Sequence, residues 1–117
     1  MAYVDGFVIP VPKDKLSEYK KLAELCRIVW QEHGALASVE CVGDDVPYGK
    51  LTSFPRAVQA AADEVILFSW IIYESKEARD SCMAKVMADP RMHVAMENPP
   101  FDAKRMIAGG FMPIVGL

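Results

Sequence analysis

Three side chains able to move protons interrupt otherwise apolar stretches of this sequence. Asp5 sits in YVDGFVIPV, Glu40 in ASVECV, and His33 closes LAELCRIVWQEH. A carboxylate inside an apolar strand must find a partner or shift its pKa. If it faces a cavity it can serve as a general base. An imidazole titrates near neutrality and becomes a base when a carboxylate orients it. Asp5, His33 and Glu40 are therefore the candidate catalytic groups. Their structural alternatives are equally concrete. Asp5 and Glu40 could form cross-strand ion pairs with Lys104 or Arg105, or reach solvent at strand ends. His33 in the last turn of a helix gains from the helix dipole without further function.

Ser69, Trp70, Arg91 and Arg105 are the candidate ligand-binding residues. Trp70, with Phe68, Phe7 and Trp30, could line a pocket for a flat ligand or form ordinary core. Arg91 in ADPRM and Arg105 in PFDAKRM could each clamp an anion through two parallel hydrogen bonds. In the structural alternative Asp89 caps a helix and Arg105 pairs with Asp102 or Asp5. Metal and cofactor motifs are not found. His33 and His93 lack a carboxylate at fixed spacing, and Cys26, Cys41 and Cys82 are odd in number and widely spaced. Each cysteine falls in an apolar pattern and is expected to be reduced and buried. Asp44-Asp45 lacks calcium-loop spacing, Gly49-Lys50 lacks the upstream glycine of a phosphate loop, and Gly109-Gly110 fits no dinucleotide fingerprint.

These groups need a scaffold, and the hydropathy pattern supplies one. Tyr3–Val11 reads as a strand ended by Pro10 and Pro12. Asp14–His33 reads as a helix whose inner stripe holds Leu16, Tyr19, Leu22, Ala23, Cys26, Val29 and Trp30. Gly34 terminates it. Ala35–Val42 is a second strand, Gly43–Phe54 has turn chemistry, and Pro55–Ala62 has material for one or two helical turns. Glu64–Glu74 is a third strand. Ser75 caps a second helix running to about Ala88, with Ala78, Cys82 and Val86 inward. Asp89-Pro90 restarts a short helix through Met96. Arg105–Val115 is a fourth strand, in which Gly109-Gly110 suggests a bulge or a close backbone approach.

The order β-α-β-β-α-β predicts an α+β, ferredoxin-like antiparallel sheet with helices on one face, a single domain over residues 1–117. Val65–Tyr73, VILFSWIIY, carries almost no polar group, so both of its faces must be covered. Helices cover one; a homodimer through sheet faces, a dimeric α/β barrel, covers the other. Ile66, Phe68, Trp70 and Ile72 share one side of this strand. Val65, Leu67, Ser69, Ile71 and Tyr73 share the other, and its two polar groups favour it as the ligand or partner face.

The totals exclude some partners. The 117 residues carry 13 Lys and Arg against 16 Asp and Glu, a net charge of −3. The Lys13–Lys21 patch is interrupted by acidic residues, which argues against nucleic acid. No signal peptide or membrane-spanning run is present, so the expected compartment is the cytoplasm.

Four segments give the chain a resemblance: YVDGFV at 3–8, GALASVECVGDDVPYGKLTSF at 34–54, FSWIIYESKEARD at 68–80, and MADPRM with PFDAKRMIAGGF at 87–92 and 100–111. Together these resemble domain-of-unknown-function family 1428, small bacterial proteins of the dimeric α/β-barrel superfamily. The resemblance implies the barrel dimer and no established activity. Related barrels include cofactor-free quinol monooxygenases. Two functions therefore stay open: a cofactor-independent oxygenase- or isomerase-like enzyme acting on a small apolar or aromatic molecule, or a non-catalytic binding or stress-associated protein.

Overall fold

The computed structural model describes residues 1–117. Four strands, β1 (Tyr3–Pro12), β2 (Ala37–Val42), β3 (Glu64–Tyr73) and β4 (Ile107–Phe111), form one antiparallel sheet in the order β2-β3-β1-β4. This is the ferredoxin-like arrangement the element order predicts. A 3₁₀ turn (Lys13–Lys15) leads into α1 (Leu16–Glu32). A short α2 (Phe54–Ala57) precedes β3, and α3 (Lys76–Met87) and α4 (Pro90–Ala95) precede β4.

The helices bury one side of the sheet. Tyr3, Ile71 and Tyr73 pack there with Val29 of α1, Cys82 and Val86 of α3, and Met92 of α4. Ile9, Val11 and Leu67 pack with Tyr19 of α1. Since alternate residues face opposite sides, the Val65–Tyr73 set points at the helices. This corrects the partner half of the expectation that its polar groups mark the ligand or partner face, since helices already cover that side. Ser69 and Tyr73 are buried beneath the helices instead.

The opposite side is mostly bare. Val58, just beyond α2, is buried against Val8 and Ile66 and covers one end of it. Over the remainder Phe68, Ile107 and Phe111 stay exposed.

The capping chemistry read from the sequence is present. The Ser75 hydroxyl accepts from Ala78 N–H at 3.0 Å, and Asp89 Oδ1 accepts from Arg91 N–H at 2.9 Å. Gly34 has φ +116 where α1 stops, and Ala35 N–H donates to the Trp30 carbonyl at 2.9 Å. That turn delays β2 until Ala37.

The fourth strand is shorter than predicted. The Asp102–Arg105 turn occupies its expected start, and Pro113, which has no N–H to donate, follows its end. β4 contains no bulge: it pairs in unbroken register, Val4 opposite Phe111 and Gly6 opposite Gly109. The close approach does occur. A Cβ on Gly110 would lie 2.7 Å from Arg79 Nη2, and one on Gly109 would lie 3.4 Å from the Phe111 ring.

Candidate functional site

Four polar clusters and one apolar surface contain the residues with candidate chemistry, apart from Ser69, which is buried beneath the helices. The apolar surface is the bare side of the sheet. Val4, Phe68, Trp70, Ile72, Ile107 and Phe111 line a trough of about 660 Å³ there, and none of its 14 lining residues has an ionisable side chain. Phe68 lies between Trp70 and Phe54, each ring centroid 5.8 Å away. The paired glycines Gly6 and Gly109 leave a shallow floor on which the Phe111 ring rests.

Trp70 and Ser69 are neighbours in sequence but face opposite sides of the sheet, so they cannot line one pocket. The four-aromatic pocket is divided in the same way. Phe68 and Trp70 face the trough, while Phe7 and Trp30 pack into the helix-covered core.

Asp5 anchors the first polar cluster, inside the helix-covered layer. Arg79 of α3 reaches across to it: Nε donates to Oδ1 at 3.1 Å and Oδ2 at 3.2 Å, and Nη2 lies 3.0 Å from Oδ1. The same guanidinium lies 5.1 Å from the centre of the Tyr3 ring, and its Nη1 donates to Asp80 at 2.9 Å. Asp5 thus pairs with Arg79, and neither Lys104 nor Arg105 takes that role. Tyr73 lies close by. Burial first, then the Asp5 charge, raise its pKa. The Tyr73 hydroxyl and Trp30 Nε1 are buried without a hydrogen-bond partner.

The second cluster joins the end of α1 to the start of α4. His33 Nε2 lies 2.9 Å from Asp89 Oδ2. An ionised carboxylate only accepts, so Nε2 carries the hydrogen. Arg91 donates to Asp89 through Nε at 3.1 Å and Nη2 at 2.8 Å, and Nη2 also reaches Glu32 at 2.5 Å. Arg91 and then His33 hold the Asp89 carboxyl far below the usual carboxylate range. Its folded pKa is depressed, so its stabilising effect is complete above its unfolded value, near 3.9, and fades as pH falls toward the folded one. Asp89→Asn is expected to lower the melting temperature at pH 7 and to flatten the acid limb of stability below about pH 4. Thermal melts of both proteins from pH 7 to pH 2 check this. Parallel acid limbs would refute it.

Glu40 anchors the third cluster, accepting from the Tyr19 hydroxyl at 2.8 Å. Its residue surface stays exposed, but the carboxylate end packs toward α1. That partial burial raises its pKa, with the Tyr19 bond pulling the other way. Burial first and the Glu40 charge second push the Cys26 thiol up to about 11. Glu40 therefore pairs with Tyr19, not with Lys104 or Arg105. Arg105 instead forms a fourth cluster, bridging Glu64, at 2.7 and 2.6 Å, and Asp102, at 2.9 Å.

Asp5, His33 and Glu40 thus sit in separate clusters, each with its own partner. Arg91 and Arg105 are likewise engaged by carboxylates. Cys82 is buried as expected, whereas Cys41 is exposed on the edge strand. The sequence reading missed Arg79, and the signal for it was available. A carboxylate within β1 demands a cation, and Arg79 stands three residues before Cys82 and beside Ala78 on the inward stripe of α3. Nowhere do three or more His, Cys, Asp or Glu side chains cluster in a way that could hold a metal ion.

Comparison with known proteins adds a family to this geometry. The model of the family "Protein of unknown function (DUF1428)" matches residues 2–103. The chain belongs to that family. Among DUF1428 relatives, YbaA of Escherichia coli strain K12, described as uncharacterized, is 51% identical over 115 residues, covering 98% of both chains. YbaA of Shigella flexneri matches to the same extent. Among solved structures, Rv0793 from Mycobacterium tuberculosis superimposes with a TM-score of 0.52 over 99% of this chain and 98% of its own, at 11% identity. That likeness establishes a shared fold. No helix is long and apolar enough to cross a membrane.

Proposed function

We propose that this DUF1428 protein is a homodimeric binding protein. Two copies pack their bare sheet sides together, and the space between them takes a small apolar or aromatic molecule. The trough over Phe68, Trp70 and Phe111 carries this reading: it is large, apolar and uncovered in the single chain. Surfaces of this kind mark partner or ligand sites. It offers no general base, and Asp5, His33 and Glu40 are bound elsewhere. Binding therefore fits this surface better than acid–base turnover.

A catalytic reading would centre on the other side of the sheet. It is favoured by the unpartnered Tyr73 hydroxyl and Trp30 N–H near Asp5.

One experiment addresses both readings. Sedimentation equilibrium is expected to show a species of twice the 13.0 kDa chain mass. A thermal-shift panel of naphthalene and quinol compounds is expected to contain at least one that raises the melting temperature. In Trp30→Phe and Trp70→Phe variants, that compound is expected to change Trp70 emission and leave Trp30 emission unchanged. A 13.0 kDa species at all micromolar concentrations would refute the dimer. A ligand sensed by Trp30 alone would move the site to the Asp5 side.

A further inference from the structure

Two largely exposed apolar segments border the trough, one of which lines it within the single chain through Met112, Pro113 and Leu117. The first is the C-terminal tail, Met112–Leu117. Its residues make no backbone hydrogen bond, and Ile114 and Val115 are 93% and 88% exposed. The second is the loop between β2 and α2. It exposes Leu51, at 96%, between Lys50 and Thr52, and it is pinned at its middle. Arg56 donates to the Tyr48 carbonyl at 3.0 Å and the Gly49 carbonyl at 3.2 Å, and its guanidinium lies 4.0 Å over the Tyr48 ring. Phe54 at the loop's end stacks on Phe68 of the trough.

The sheet register places these segments at diagonal corners of one surface. The tail leaves edge strand β4 at Phe111, opposite Val4 near the start of β1. The loop leaves the other edge strand, β2, where Gly43 N–H donates to the Ile66 carbonyl at 2.7 Å. Ile66 pairs with Pro10, toward the end of β1. A two-fold axis lying in the interface, perpendicular to the line joining these corners, exchanges them. Each tail then meets the partner's loop, and the strands of the two sheets cross near a right angle.

Area fits the same arrangement: a stable dimer takes about 800 Å² of accessible surface from each subunit, and Leu51, Ile114 and Val115 add exposed apolar surface beside the trough.

We infer that the C-terminal tail of each subunit packs against the Tyr48–Phe54 loop of a second copy, closing the ends of the sheet-to-sheet interface. This rests on the homodimer proposed above. The test measures dimer dissociation of the full-length chain, Leu51→Ala, Ile114→Ala and the double variant by sedimentation, with far-UV circular dichroism confirming the fold. Each single change is expected to weaken the dimer at least about tenfold, and the double change by little more than either alone, since both remove one contact. Unaffected single variants, or a double variant whose loss is the product of the two, would overturn the tail–loop contact and leave the sheet interface standing. A monomeric full-length chain would overturn both.

If a variant fails to fold, a photoreactive benzoylphenylalanine at position 51 in mixed ¹⁴N and ¹⁵N chains replaces it. Cross-links of mixed isotope into residues 112–117 support the contact. Cross-links confined to one chain, or an absence of cross-links into the tail, refute it.

Discussion

Arg79→Ala is expected to destabilise the folded chain by about 3–5 kcal/mol, the usual cost of leaving a buried charge without its partner. The magnitude turns on which member of the pair is desolvated. Arg79 is 24% exposed at its side chain, and by that measure alone the pair would resemble a surface salt bridge worth at most about 1 kcal/mol. Asp5 decides otherwise. Its side chain is 8% exposed, and both of its oxygens accept from the same guanidinium. Without Arg79 the carboxylate has no cation in reach within the helix-covered layer, and Tyr3 loses the charge beside its ring. Urea unfolding of the variant measures the loss, and a change below 1 kcal/mol would show that water reaches Asp5 freely. The double variant Asp5→Asn, Arg79→Met is expected to recover most of the stability, because it removes both charges and keeps the volume. Gly110 belongs to the same cluster. A Cβ there would run into the Tyr3 hydroxyl and sit 2.7 Å from Arg79, so Gly110→Ala is expected to act in the same direction.

The Asp5–Arg79 pair also shows where sequence reading stops. The strands, the two long helices and their caps follow from periodicity and local chemistry: Ser75 and Asp89 cap where their types and positions indicate. The sheet order follows from the element order and the handedness of crossovers. Pairings between distant side chains do not. Asp5 and Arg79 are 74 positions apart, and His33 and Asp89 are 56 apart. Both contacts depend on how α1, α3 and α4 lie on the sheet. The sequence presents Asp5, His33 and Glu40 as three similar interruptions of apolar segments. Packing separates them: Asp5 meets a cation, His33 meets a capping carboxylate, and Glu40 meets a phenol. Period-two alternation sorts the side chains of β3 into two sets but does not say which set the helices cover. The polar Ser69 and Tyr73 favoured their set as the ligand or partner face, and the helices that cover it leave no room for a partner there. Buried polar groups are tolerated in a core that also holds Asp5, and the open side is the more apolar one.

Trp70→Asp is expected to weaken the proposed homodimer by at least about a thousandfold, enough to leave the chain monomeric at micromolar concentration. The aspartate removes a large aromatic side chain of the kind that dominates binding energy at interfaces. It also places an unpaired charge where the partner's sheet would exclude water, at several kcal/mol per copy. In the proposed dimer, two-fold symmetry imposes both losses twice. The fold is expected to survive, because Trp70 lies on the trough side while the main core packs on the other. Its neighbour supplies the contrast. Ile71 is buried in that core beneath the helices, so Ile71→Asp is expected to unfold the protein and not to yield a folded monomer. Two adjacent residues of one strand therefore separate association from folding, because successive side chains point to opposite sides of the sheet. Sedimentation and circular dichroism read the two outcomes independently. If Trp70→Asp unfolds the chain, the trough is part of the folding core. If it stays dimeric and folded, the subunits meet somewhere other than the open side of the sheet.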